Sequence, residues 1–256
     1  MTPTLLQFLI LCPLTLIAGY IDAVAGGGGL ISLPAYLLIG LPAHNALGTN
    51  KLSASFGAVF ATVRYGRQGY INKRLAFICV PMALLGSYCG AKISMLVPEN
   101  TFRLLLVMIL PAVAWYVLRS KKNMEAGKTP EELPWPKTGF VCAGISLALG
   151  AYDGFYGPGT GTFLMLLLSG IVGLDLRNCV GTTKIINTSS NIAAFVTFLF
   201  NGQVIFSLGI AAALSSALGN WLGAASFSKK GASLLRPLIL VVLSLLFVKT
   251  VWELFF

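Results

Sequence analysis

Charge is what this sequence has least of. Only 10% of its residues are Asp, Glu, Lys or Arg, and only 8 of 256 are acidic. Soluble domains carry about 25% charged residues. With 56% hydrophobic residues and a mean hydropathy of +0.83, the chain reads as an integral membrane protein. Histidine is nearly absent too. His44 stands alone, in a turn expected to be external and solvated, so no Ser/His/Asp set and no zinc motif is available. No pair of catalytic carboxylates emerges either, and neither enzyme activity, a metal nor a cofactor is expected. The five cysteines are odd in number and scattered, without CxxC spacing, and read as small hydrophobes rather than disulfides.

Polar sequence is scarce as well. The one long polar stretch is 119–138, which holds Glu125, Glu131, Glu132, Pro130, Pro134 and Pro136. It reads as a linker between a first unit, 1–118, and a second, 139–256. The net charge of +10 suggests nucleic acid, but the placement of the charge excludes it. Arg64, Arg67, Lys73 and Arg74 share one loop. Arg119, Lys121, Lys122, Lys128 and Lys137 share the linker, and Lys229, Lys230 and Arg236 share a third loop. Basic residues gathered in loops set membrane topology, because cytoplasmic loops retain Lys and Arg. Ala23-Val24-Ala25 resembles a signal cleavage site, but no basic stretch precedes it, so the segment is expected to be retained.

What the chain has in plenty is glycine at apolar depth. Asp22 is followed by Gly26-Gly27-Gly28-Gly29 between two apolar runs. Glycine weakens a helix most after proline, and a carboxylate in hydrocarbon is expensive. The backbone is therefore expected to break at membrane depth, which is tolerated only inside protein or beside a cavity. Apolar segments run at about 5–25, 30–41, 47–65, 75–97, 101–118, 139–156, 161–173, 179–200, 204–227 and 237–256. Segments 30–41 and 161–173 are too short to span and suit half-helices or re-entrant turns.

The second half repeats the first. Asp22, Gly26 and Gly28 match Asp153, Gly157 and Gly159 at a shift of 131. Gly48-Thr49-Asn50-Lys51 matches Gly181-Thr182-Thr183-Lys184 at a shift of 133, and so does Gly86-x-x-x-Gly90 with Gly219-x-x-x-Gly223. The loop bearing Arg64–Arg74 is basic while its counterpart, Asn201-Gly202-Gln203, is uncharged. The loop at Pro98-Glu99-Asn100 carries no basic residue while its counterpart holds Lys229 and Lys230. The bias flips, so the two repeats are expected to lie inverted in the membrane. Segments 5–25 and 30–41 then form either a hairpin that dips in and returns or two crossings, and both termini come out external. The small-xxx-small spacings suit close helix packing, within the chain or in a homodimer.

The candidate site follows from the repeats. Helix starts after Gly26, Gly27, Gly28 and Gly29, and after Gly157, Gly159, Thr160 and Gly161, offer free N–H groups and the positive end of a helix dipole. That is a ready anion site. Lys51 and Lys184, with Thr49, Asn50, Thr182 and Thr183 beside them, open apolar helices. They neutralise an anionic substrate, or else snorkel at a helix end. Asp22 and Asp153 accept a coupling proton, pair with Lys51 and Lys184, or cap the following helix. Asn187, Ser189, Ser190 and Asn191, with Ser53 and Ser55 in the matching region, form a polar face. No phosphate-loop Gly-Lys-Ser/Thr follows the glycines.

These stretches also carry a family likeness. Ala18–Leu30, Asn45–Leu52 and Tyr152–Gly161 closely resemble the sulfite exporter TauE/SafE family of bacterial membrane permeases, over essentially the whole chain and both repeats. The resemblance implies transport, often export, of small sulfur-containing anions such as sulfite or organosulfonates across the cytoplasmic membrane. The expected fold is all-α: a polytopic protein of two inverted repeats with about 8–10 helices, some of them broken or re-entrant. The expected partners are a small anion and the lipid bilayer. A passive anion channel and a non-transporting assembly subunit are the alternatives.

Overall fold

The computed structural model describes residues 3–124 and 135–227. The segment 237–256 and the basic residues Lys128, Lys229, Lys230 and Arg236 lie outside them. Among the described residues every regular element is helical. In order they are α1 (Leu5–Ala25), α2 (Gly29–Leu38), α3 (Ala43–Arg67), α4 (Lys73–Leu96), α5 (Glu99–Met124), α6 (Trp135–Phe155), α7 (Thr160–Gly170), α8 (Leu176–Phe200) and α9 (Phe206–Ala225). α5 and α6 run into both ends of the expected linker.

Local chemistry sets the boundaries. The Gln7 side chain accepts from the Thr4 amide at the start of α1. α1 stops where Gly26 turns left-handed at φ +68°, with its amide bonded back to the Asp22 carbonyl. Such a turn favours glycine because it has no Cβ to clash. Asn72 caps α4 through the Leu75 amide, and Asp175 caps α8 through the amides of Arg177 and Asn178. α6 and α7 are separated at Gly157 and Gly159, both at positive φ. α2 and α7 have 10 and 11 residues. At 1.5 Å per residue each covers only about half of a hydrocarbon layer of roughly 30 Å.

Among the described residues four helices are long and apolar enough to span: α1, α4, α6 and α9. Their outward faces expose Leu9, Phe77, Phe140 and Leu214, the surface a lipid-facing helix presents. α3 and α8 are as long but carry polar residues, and they are interior. α1 packs on α9 and α6 on α4; α9 then covers α3, α4 covers α8, and α3 meets α8. At the basic end Arg74 lies 3.6 Å over the Trp135 ring and Arg64 4.7 Å over Trp221. Arg–Trp pairs of this kind suit the membrane–water boundary.

Both small-residue spacings are used inside the chain. A Cβ on Gly90 would sit 2.8 Å from the Ala151 carbonyl carbon of α6, and one on Gly219 2.9 Å from the Tyr20 amide nitrogen of α1.

His44 corrects an expectation. It is not a solvated turn residue but lies buried in the first turn of α3. Its Nδ1 meets the Glu99 carboxylate, its Nε2 faces the Ser94 carbonyl at 3.0 Å, and its ring stacks on Phe102. Glu99 also accepts from the Ala43 and His44 amides, so one acid caps α3 and ties it to α5.

Two outcomes test this packing. Gly90→Val should destabilise the protein by about 1–3 kcal/mol through overpacking, while Gly144→Val, which meets nothing within 4 Å, should leave melting in detergent unchanged. Glu99→Ala should lower the melting temperature through loss of a cap, a cost of about 1 kcal/mol.

Candidate functional site

The two chain breaks meet. Thr162 at the start of α7 donates its amide to the Gly26 carbonyl at 3.2 Å and its hydroxyl to the Ala25 carbonyl at 2.8 Å. Gly161 lies so close that an added Cβ would stand 2.7 Å from the Gly26 Cα. On the other side of the crossing, a Cβ on Gly29 would stand 3.1 Å from the Pro158 Cα. Glycine is required here because backbone touches backbone. Tyr152 holds the second break by donating to the Pro158 carbonyl at 2.7 Å, and the Thr160 hydroxyl closes it onto the Gly157 carbonyl.

Each lysine pairs with an aspartate on a helix from the other half of the chain. Lys51 Nζ lies 2.9 Å from Asp153 Oδ1, with both side chains 2% exposed. Lys184 Nζ lies 2.5 Å from Asp22 Oδ2 and also donates to the Asp22 carbonyl at 3.1 Å. Lys51 additionally donates to Asn191 Oδ1, and Asn191 in turn to Asn187. Ser190 donates to the second Asp153 oxygen at 2.7 Å. An unpaired lysine or aspartate at this depth would be strongly disfavoured, so the pairing explains how four formal charges are held in an apolar body.

Around the crossing lies a cavity of about 40 Å³, room for roughly three water-sized occupants. Both aspartates, Lys51, Ser32, Ser53 and Asn50 reach it, as do glycines of both breaks. Asn50 Oδ1 is buried there and has no hydrogen-bond partner among the described residues. A buried amide oxygen left unmatched beside a polar cavity is a contact waiting for a donor. A second, smaller cavity joins Asp22 and Gly26 to Thr183 and Lys184.

The sulfite exporter TauE/SafE family model matches residues 11–250. The chain belongs to this family. A Sinorhizobium relative, named a probable membrane transporter protein, is 37% identical over 88% of this chain and 85% of its own. One from Haemophilus influenzae with the same name is 34% identical over 93% and 91%. One from Escherichia coli K12, also named a probable membrane transporter protein, is 30% identical over 93% and 87%. No solved structure matches the chain. Family membership and the four apolar helices make the chain a multi-pass membrane protein.

In this TauE/SafE member the predicted site residues divide. Gly26, Gly28, Gly29, Asn50, Lys51, Gly157, Gly159 and Gly161 surround the larger cavity. Thr183 and Lys184 reach the smaller one, and Gly27 reaches neither. Thr49 and Thr182 are buried but line neither cavity: Thr49 Oγ1 accepts from the Ile205 amide and Thr182 Oγ1 from the Asn72 amide. The helix-start donors are partly spent. The Leu30, Ile31 and Ser32 amides bond to Gly27 and Gly28, whereas the Gly29 and Gly161 amides make no such bond among the described residues. Ser32 and Ser216 line the cavity without having been singled out in the sequence. Single serines in apolar helices give no periodic signal.

Lys51→Met should destabilise the fold by about 3–5 kcal/mol, because Asp153 is left charged and unpaired. Combining it with Asp153→Leu should recover most of that loss, as a double-mutant cycle followed by melting in detergent would show.

Proposed function

We propose that this chain is a secondary transporter that exports small sulfur-containing anions, sulfite or organosulfonates, across the bacterial cytoplasmic membrane. The observation that carries the reading is the crossing of two glycine breaks at a polar cavity flanked by exchanged Lys–Asp pairs. The anion sits at the Gly29 and Gly161 helix starts, with Lys51 and Lys184 supplying positive charge. Asp22 and Asp153 are the coupling-ion candidates. The sulfite exporter character of the family supports the substrate class.

The chain works as two inverted repeats, 1–118 and 139–256, joined by a cytoplasmic linker, with both termini external. Contacts that recur with their partners exchanged support this. Lys51–Asp153 answers Lys184–Asp22. Thr49 with Ile205 answers Thr182 with Asn72. α3 begins where Gly48 meets Gln203, and α8 begins where Gly181 meets Tyr70, beside the basic loop. The interior helices thus start from opposite ends. Rocking one repeat against the other gives the crossing alternating access, with α2 and α7 as half-helices.

Proteoliposomes given a proton gradient and labelled methanesulfonate, isethionate or sulfite test the reading. Uphill accumulation is expected; equilibration without accumulation would indicate a passive channel, and no flux an assembly subunit. Normal transport by a Lys51→Ala, Lys184→Ala variant would overturn the site. In a background without native cysteines, Gln68→Cys and Gln203→Cys should label from opposite sides of the membrane. Labelling from one side would overturn the inversion.

A further inference from the structure

The two adjoining cavities together are electrically balanced before any anion arrives: Lys51 and Lys184 face Asp153 and Asp22. An added anion would leave uncompensated negative charge in a poorly solvated site, a strongly unfavourable state. Balance returns if one carboxylate takes a proton, because its lysine then has a full charge to offer.

The two carboxylates are not equivalent. Asp153 is 2% exposed and both its oxygens are engaged, one by Lys51 and one by Ser190. The Asp22 side chain is 15% exposed, and its Oδ1 has no hydrogen-bond donor among the described residues. Asp22 also borders both cavities, with Gly26 and Asn187, and of the two carboxylates it is the one that joins the larger space to the Lys184 side. Lys184 is held twice, by the Asp22 carboxylate and by the Asp22 carbonyl. Protonating the carboxylate leaves the carbonyl bond in place, so the ammonium stays where an anion can reach it.

Other groups around Asp22 do not offer a second proton acceptor of this kind. From α8 it faces Lys184, and from α3 it feels Lys51 and Tyr65, whose hydroxyl is occupied by the Ala23 carbonyl. From α6 the cavity receives Asp153. α2, α7 and α9 contribute Ser32, Met165 and Ser216, none of which titrates.

We infer that each anion charge binds together with one proton, and that Asp22 is the carboxylate that takes it. The inference rests on the anion-site reading above. The step is a transfer from water to an Asp22 carboxylate oxygen: the carboxylate becomes a carboxylic acid, and the Lys184 charge passes to the anion. Anion and proton then travel in the same direction and move no net charge, so export runs down the anion's own outward gradient and an inward proton gradient drives uptake.

The full chain in detergent, titrated calorimetrically with methanesulfonate or isethionate in buffers of different ionisation enthalpy, tests this. Both probes stay ionised, so any proton taken up goes to the protein. Uptake of about one proton per anion is expected, with affinity falling ~tenfold per pH unit over the range where that proton is taken up. Asp22→Asn should bind without proton uptake and without that pH dependence. The wild-type proton count requires no variant to fold. Dicyclohexylcarbodiimide, which attacks protonated carboxyls in membranes, should modify Asp22 of the wild-type protein, and probe anion should change the extent. Binding without proton uptake would overturn the coupling and leave the anion site standing. No binding of either probe at any pH would overturn both, and modification at Asp153 in place of Asp22 would overturn the assignment.

Discussion

The rest of the structure depends on two buried ion pairs that cross between the halves of the chain. Neither Lys51 nor Lys184 finds its carboxylate within its own half. Each half therefore carries unmatched charge into an apolar environment until it docks on the other. Burying such pairs adds little net stability compared with apolar packing, but removing one partner is severe. That asymmetry makes the pairs a device for specifying one arrangement. It also places paired charge at the point where the helices of both halves are interrupted.

Glycine makes that arrangement possible at two levels. In the breaks it lets one chain turn left-handed and lets Gly26 and Gly161 touch without side chains. On α4, α6 and α9 it brings apolar helices into close backbone contact around α3 and α8. Lipid tails give no hydrophobic drive between helices, so close packing must supply the association. The apolar helices form the wall, the polar α3 and α8 form the interior, and the short helices α2 and α7 begin at the cavity.

Much of this was legible in the sequence, for a physical reason. Glycine and charge at membrane depth have few innocent uses, so Asp22–Gly29 and Asp153–Gly161 announced the breaks, and Lys51 and Lys184 announced a polar interior. Pairing was less legible. Lys51 and Asp153 are far apart in the chain, and pairing within one half would have looked as reasonable. Thr49 and Thr182 were misleading because a hydroxyl near a lysine says nothing about its direction; both serve neighbouring loops. His44 was misread because its partner, Glu99, lies on another helix. Its one sequence signal was Glu99 itself, an isolated acid in a chain with few.

The central claim is that a single anion site lies where the two breaks cross, between the exchanged pairs. A structure determined with bound selenite, a heavier analogue of sulfite, tests this most directly through the anomalous signal of selenium. The account predicts one selenium peak in the larger cavity, within hydrogen-bonding reach of Lys51 and of the Gly29 or Gly161 amide. Selenium found only at the basic loop around Arg64 and Lys73, with the cavity holding nothing but water, would contradict it.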